Sequence, residues 1–567
     1  MTNVLRIPQG VSSSVPRMDQ FPTRRSILRA IGGAGALVVL GACSGDDGPG
    51  GLSGGQPAGT GAGTGTPQTR PTVPPLERTV RDLRLRLRAA PATATIVAGR
   101  KTPVLSFTAE VLEGDPASVV PSGSYLGPTL RFRTGQRVRI RFENQLDEDS
   151  IVHWHGLIVP QGQDGQPHEA VGRGKTYDYD FVVENAPGTY WYHPHPHGRT
   201  GEQVYRGLAG LLVVEGDEPL PSGDNDLGVV LQDRSVSDDG TLRYANQMHD
   251  RMMGFVGNTL VTNGVADCTI AVRREPYRLR ILNGANSRTQ LLRWSTGAPF
   301  HVVATDGHLL PETVRVEQVV ITPAQRVDVW MDFSTFEAGA RPQLLSADLA
   351  VESAAGMGGG MGGGMGNGTG GMGGAGGMGG AGAAGAGATS SLSLDLRVAA
   401  TFVPGGDARP GTAPTALGPR PTVSAASAVN AGAPKQFVFA TRQMTHTING
   451  RVWEDRSVTA LETVTAGTTE VWELVNTSPM PHPIHLHGNP FRVVQRSWDD
   501  PTLEAAWKTI ENGVVESGWR DTVLVWPGQR VRIVVPFAKH EGFFLYHCHI
   551  LEHEDAGMMR SFRVQPA

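Results

Sequence analysis

Apolar side chains recur at every second position in short runs along this chain. Arg137-Val138-Arg139-Ile140-Arg141-Phe142 alternates charge with bulk, and Arg530-Val531-Arg532-Ile533-Val534-Val535 begins the same way before turning continuously apolar. Leu279-Arg280-Ile281-Leu282-Asn283 and Gln325-Arg326-Val327-Asp328-Val329-Trp330 are similar. A two-residue period sends alternate side chains to opposite faces, so each run reads as a strand with one buried side. Gly, Pro, Asn and Asp punctuate the runs, and helix-period stripes are scarce. The pattern predicts an all-β protein of sandwiches or barrels.

At 567 residues the chain holds several domains. A net charge of −4 points away from nucleic acid. The first 42 residues read as an export signal and are set apart from the fold. Thr23-Arg24-Arg25-Ser26-Ile27-Leu28-Arg29 resembles a twin-arginine motif, with Ile27 in place of the commoner Phe. The apolar run 30–42 is shorter than the roughly 20 residues needed to span a bilayer. It ends in Leu40-Gly41-Ala42-Cys43, which resembles a lipobox. Residues 43–75 form a Gly/Ser/Thr/Pro tether, as an acylated Cys43 would need to hold a folded body off a membrane. The expected location is periplasmic or in the cell envelope. With Cys43 lipidated and Cys548 in a ligand motif, Cys268 has no disulfide partner and reads as a small buried apolar residue.

The candidate chemistry lies near the two ends of the folded part. His153-Trp154-His155-Gly156 and His193-Pro194-His195 come early; His482-Pro483-Ile484-His485-Leu486-His487 and His547-Cys548-His549, followed by His553 and Met558, come late. These motifs hold most of the chain's 17 histidines. Strand parity sorts them. His547 and His549 project together while Cys548 points the other way; His485 and His487 share a face that His482 does not. His482, Cys548, His553 and Met558 can therefore converge on one copper, the blue-copper donor set of two imidazoles, a thiolate and a weak axial thioether. The remaining motif histidines can surround a second cluster, with Cys548 covalently adjacent to residues of both. His168, His197, His249, His301, His308, His446 and His540 have no such support and read mostly as structural or surface residues. His197 is ambiguous because it continues the series from His193 and His195.

The motif set resembles that of the multicopper oxidases, the family of laccases, ascorbate oxidases and bacterial copper-efflux oxidases. The resemblance implies three cupredoxin-like Greek-key domains and four copper ions. By position in the motifs, His482, Cys548, His553 and Met558 match the type 1 ligands. His153 and His485 match type 2; His155, His193, His195, His487, His547 and His549 match the type 3 pair. No ligand position is empty, although the family includes copper-free relatives. Asp164 and Glu554 match family carboxylates that serve proton delivery. The expected domains are 76–217, 225–350 and 435–567, the first and third bringing ligands to a shared interface, with 351–434 as insert and linker.

That insert carries Met357, Met361, Met365, Met372 and Met378 in a Gly/Ala background. Glycine at this density builds no core, so the segment reads as a solvated loop, either a repeat-expanded linker or a source of thioethers that select Cu(I). Copper-efflux oxidases carry a Met-rich insert in this part of the chain; this one lacks the histidines such inserts can have. Met248 and Met252 could add soft ligands or simply be buried. The expected activity is oxidation of Cu(I), with O2 reduced to water, in copper tolerance. A laccase acting on phenols or aromatic amines is the alternative. A copper carrier, an envelope scaffold or a two-domain nitrite reductase would not need the full ligand set. A monomer is expected.

Overall fold

The computed structural model describes residue 76 and residues 81–244, 247–349, 396–537 and 540–567. Among the described residues, six β-sheets pair into three sandwiches. In the first, the strands Thr102–Glu113, Leu83–Ala94, Arg137–Asn144 and Thr176–Val182 form one sheet. The strands Val119–Val120, Thr129–Arg133, Gly210–Glu215, Gly188–Pro194 and Val152–His155 form the other. The alternation in the sequence decides which face is inside. Leu83, Leu85, Leu87, Val138, Ile140 and Phe142 join one buried cluster. The intervening arginines face out, where Arg137 and Arg141 pair with Asp180 and Asp178 on the neighbouring strand at 2.8 Å. Such exposed pairs are screened by solvent and contribute little, so burial rather than charge sets the register.

The third sandwich pairs a sheet containing Lys435–Arg442, Thr469–Asn476 and Gln529–Pro536 with one containing Met559–Gln565, Gly542–Cys548, His482–Leu486 and Thr522–Val525. In all three sandwiches each sheet holds one parallel pair among antiparallel ones, a repeat of one topology.

The second sandwich extends further than 225–350. Its smaller sheet includes Arg397–Gly405, antiparallel to Gln343–Asp348 and parallel to Thr269–Arg273. The strand expected to lie in an interdomain linker is thus a sheet member, because Ala399, Ala400 and Phe402 complete that domain's core. The Met/Gly stretch therefore connects two paired strands of one domain. Its five methionines, Cys43 and the export segment all lie outside the described residues.

A short helix, Leu551–Asp555, sits where the three sandwiches meet. The Asp555 carboxylate accepts from the Thr200 and Gly201 amides of the first (2.9 and 2.8 Å). Glu552 accepts from the Phe255 amide and the Asn286 side chain of the second (3.0 and 2.8 Å).

Candidate metal centre

Strand pairing carries the motifs together. His153 lies opposite His193 across one antiparallel pair, and His485 lies opposite His547 across another. Ile484 faces Cys548 in the latter register. Ile484, Cys548 and Met558 belong to the third domain's core, while His485 and His547 point out of it, as their parity requires.

On the core side, His482 Nδ1 lies 3.3 Å and His553 Nδ1 3.5 Å from Cys548 Sγ. Their outer nitrogens are engaged elsewhere. His482 Nε2 meets the Ser478 hydroxyl at 2.7 Å, and His553 Nε2 donates to the Met252 carbonyl at 3.3 Å. Because a carbonyl only accepts, His553 carries its proton on Nε2 and aims a lone pair from Nδ1 at the sulfur. Met558 is fully buried, and its carbonyl accepts from the Cys548 amide at 3.0 Å.

The remaining motif histidines form a second cluster with no exposed surface. Their rings fall into two triangles. His155, His193 and His549 have centroids 5.7, 5.1 and 5.3 Å apart. His195, His487 and His547 have centroids 5.2, 5.1 and 5.2 Å apart. His153 stacks on His487 at 3.9 Å and His485 on His155 at 3.7 Å, so this pair bridges the triangles. The pair is held alike on both sides. His153 Nδ1 donates to the Asp164 carbonyl and His485 Nδ1 to the Asp521 carbonyl, each at 2.8 Å.

These donors fit metal ions. His153 Nε2, His193 Nε2, His485 Nε2 and both nitrogens of His549 are buried without a hydrogen-bond partner, an arrangement that costs about 1–3 kcal/mol per group unless something else is bound. Burial, and then mutual repulsion, holds the imidazoles neutral: His195 is pushed down to about 4 and His549 to about 3, and burial takes His482 to about 3. Neutral imidazole is the ligating form.

The carboxylates sit around the cluster. Asp164 Oδ2 lies 2.9 Å from His487 Nδ1, and its Oδ1 is 3.3 Å from His153 Nδ1. Glu554 lies 3.2 Å from His547 Nδ1 and 3.5 Å from His195 Nδ1. Burial works to raise the Glu554 carboxyl, but those two imidazoles hold it well below its ordinary range. Sequence reading missed Asp521. Its carboxylate meets His155 Nε2 at 3.1 Å and is clamped by Arg326 at 2.8 and 2.6 Å. Only an isolated Arg520-Asp521 dipeptide marks it in the sequence. Sequence reading also passed over His446, whose ring stacks 3.8 Å from that of His553. His197 is not part of either cluster; it rests on Trp453 at 4.4 Å. Cys268 is a core residue whose thiol burial pushes up to about 12.

Multicopper oxidase family profiles match residues 107–219 and 428–567, the two sandwiches that supply these donors. The chain belongs to the multicopper oxidases, copper-dependent oxidoreductases that use oxygen. It is 30% identical to a laccase of Haloferax volcanii over 82% of this chain and 80% of that one. It is also 29% identical to cell division protein FtsP of Xenorhabdus nematophila, over 79% and 85% respectively. Among solved structures, the McoA multicopper oxidase of Aquifex aeolicus aligns with a TM-score of 0.68 at 28% identity, covering 88% of this chain and all of that one.

Proposed function

We propose that this protein couples four one-electron oxidations of a donor to the reduction of O2 to two waters, with Cu(I) as the preferred donor. His482, Cys548, His553 and Met558 hold a type 1 copper, and His153 and His485 a type 2 copper. The triangles His155/His193/His549 and His195/His487/His547 hold the type 3 pair. Four bound coppers supply the one-electron and oxygen chemistry. The observation that carries this reading is the double placement of Cys548: its sulfur faces His482 and His553, while its chain neighbours His547 and His549 reach separate triangles. That gives an electron a short through-bond path from one cluster to the other.

The chain's own groups do the rest. Asp164 and Glu554 orient His487 and His547 and are positioned to pass protons toward the buried cluster. The second domain carries no motif histidine but supplies Arg326, which fixes Asp521 against His155.

The preference for Cu(I) draws on the Met/Gly stretch and on the described surface beside the type 1 ligands. There Met248 and Met253 are 57% and 52% exposed on one short helix, and exposed thioethers are soft donors suited to Cu(I). A laccase activity toward phenols is the second reading, favoured by the similarity to a laccase. We place the protein in the cell envelope, exported by the twin-arginine route and held by lipid on Cys43. The deciding experiment is metal analysis with steady-state rates on Cu(I) and on a phenol. Four coppers per chain and a higher kcat/KM for Cu(I) are expected; faster turnover of the phenol would make the protein a laccase instead.

A further inference from the structure

The ring of His553 has no exposed surface. Against it lie the His446 ring, 3.8 Å away, and the helix Met248–Met253 of the second domain, whose Met252 carbonyl it meets. Two imidazoles meet the last turn of that helix. His553 Nε2 donates to the Met252 carbonyl at 3.3 Å and His446 Nε2 to the Arg251 carbonyl at 3.2 Å. These are end-of-helix carbonyls, which lack partners within the helix itself. The tautomer of His446 is fixed from behind: with its proton on Nε2, Nδ1 accepts from the Thr441 hydroxyl at 2.9 Å. The two rings lie 3.8 Å apart, tilted by 31°.

The helix cannot stay there unaided. None of its residues is buried, and six residues are far below the length at which a helix is stable in water. Its fixed end is Gly254–Phe255. The Phe255 amide donates to Glu552 at 3.0 Å, and the Ser287 hydroxyl donates to the Phe255 carbonyl at 3.1 Å. Gly254 lies so close to the type 1 loop that a Cβ there would come within 2.7 Å of Ile550 Cγ2. That end forms a pivot. His446 supplies a fastening from the third domain beside the bond that His553 itself makes to Met252.

We propose that His446 is a specificity residue: it latches the Met248–Met253 helix across His553, excludes bulky aromatic donors from the ring, and leaves the outer face of the helix as the place where a donor docks. This rests on reading His553 as a type 1 ligand. A phenol has no ligating group for that face and needs the ring itself, which the helix blocks. A Cu(I) ion held by the exposed Met248 and Met253 thioethers has instead a bonded path to the ring along the helix backbone and the Met252–His553 hydrogen bond.

The test uses the copper-loaded full chain carrying His446→Leu, which keeps bulk and loses the hydrogen bond, or His446→Gln, whose amide can still donate to Arg251. Copper content, blue absorption and the copper EPR signal are read beside kcat and KM for syringaldazine and for Cu(I). His446→Leu is expected to raise kcat/KM for syringaldazine by about tenfold, mainly through KM, with the blue signal intact and no rise on Cu(I). His446→Gln should behave like wild type. Replacing 248–253 by a Gly/Ser segment of equal length, with His446 in place, should give the same gain and serves if His446→Leu does not load copper. An intact blue site with unchanged syringaldazine kinetics, an equal gain on Cu(I), or a Gln variant that behaves like Leu would overturn the latch. A wild-type protein without blue absorption would overturn the type 1 reading instead.

Discussion

Burial pushes the Cys548 thiol upward, and the groups acting on it besides burial are the Ile550 amide and the carboxylates of Glu554 and Glu552. A metal ion bound between Cys548, His482 and His553 would hold the sulfur as the thiolate despite that burial. Cys548→Ser is therefore expected to abolish the visible absorption while the imidazole cluster keeps its copper; a variant that stayed blue would disprove the ligand assignment. Asp164→Asn and Glu554→Gln keep hydrogen-bonding groups beside His487 and His547 and remove an ionisable one. Stopped-flow reoxidation of the reduced protein should slow in each with copper content near wild type, and fast reoxidation of the double variant would exclude this proton route. Asp521→Ala removes the nearer of two carboxylates from the buried Arg326 and leaves it Asp306 at 3.7 Å. The loss should therefore be at most that of a fully broken buried ion pair, about 3–5 kcal/mol. Thermal unfolding should show this as a marked loss of Tm.

At the scale of elements, two-residue parity does most of the sorting and one glycine makes it possible to bring Asp164 to the cluster. Gly165 follows it at φ 76°, and a Cβ there would overlap the Val152 carbonyl, one residue before His153. Gly165→Ala should cost about 1–2 kcal/mol from the left-handed backbone alone, with the overlap adding to that. Denaturant titration alongside copper analysis should show both stability and metal loading falling; a variant with wild-type values would mean that this loop does not set the position of Asp164. The parity of the donors was legible because a strand repeats every two residues. The triangles were not, since they depend on which strands lie side by side.

Over the whole molecule, the Met/Gly stretch interrupts one domain rather than separating two. Deleting roughly residues 356–380 is expected to leave unfolding unchanged, since surface loop length is thermodynamically cheap. The same deletion should raise KM or lower kcat for Cu(I). Changing Met357, Met361, Met365, Met372 and Met378 to Leu keeps apolar bulk and removes sulfur; unaltered Cu(I) kinetics in that variant would leave the stretch a linker. The sequence by itself determined the donor chemistry, the division between sulfur-bearing and all-imidazole sets, and the all-β class. Each is written within a few consecutive residues, where local periodicity governs direction. Only the tertiary structure decided that Asp521 meets His155, 366 residues away in the chain. It likewise decided that Arg397–Gly405 completes the second sandwich and that His446 and a short helix close over His553. Those contacts follow from how three separately patterned sandwiches pack, and packing between distant segments leaves no periodic trace in the sequence of any one of them.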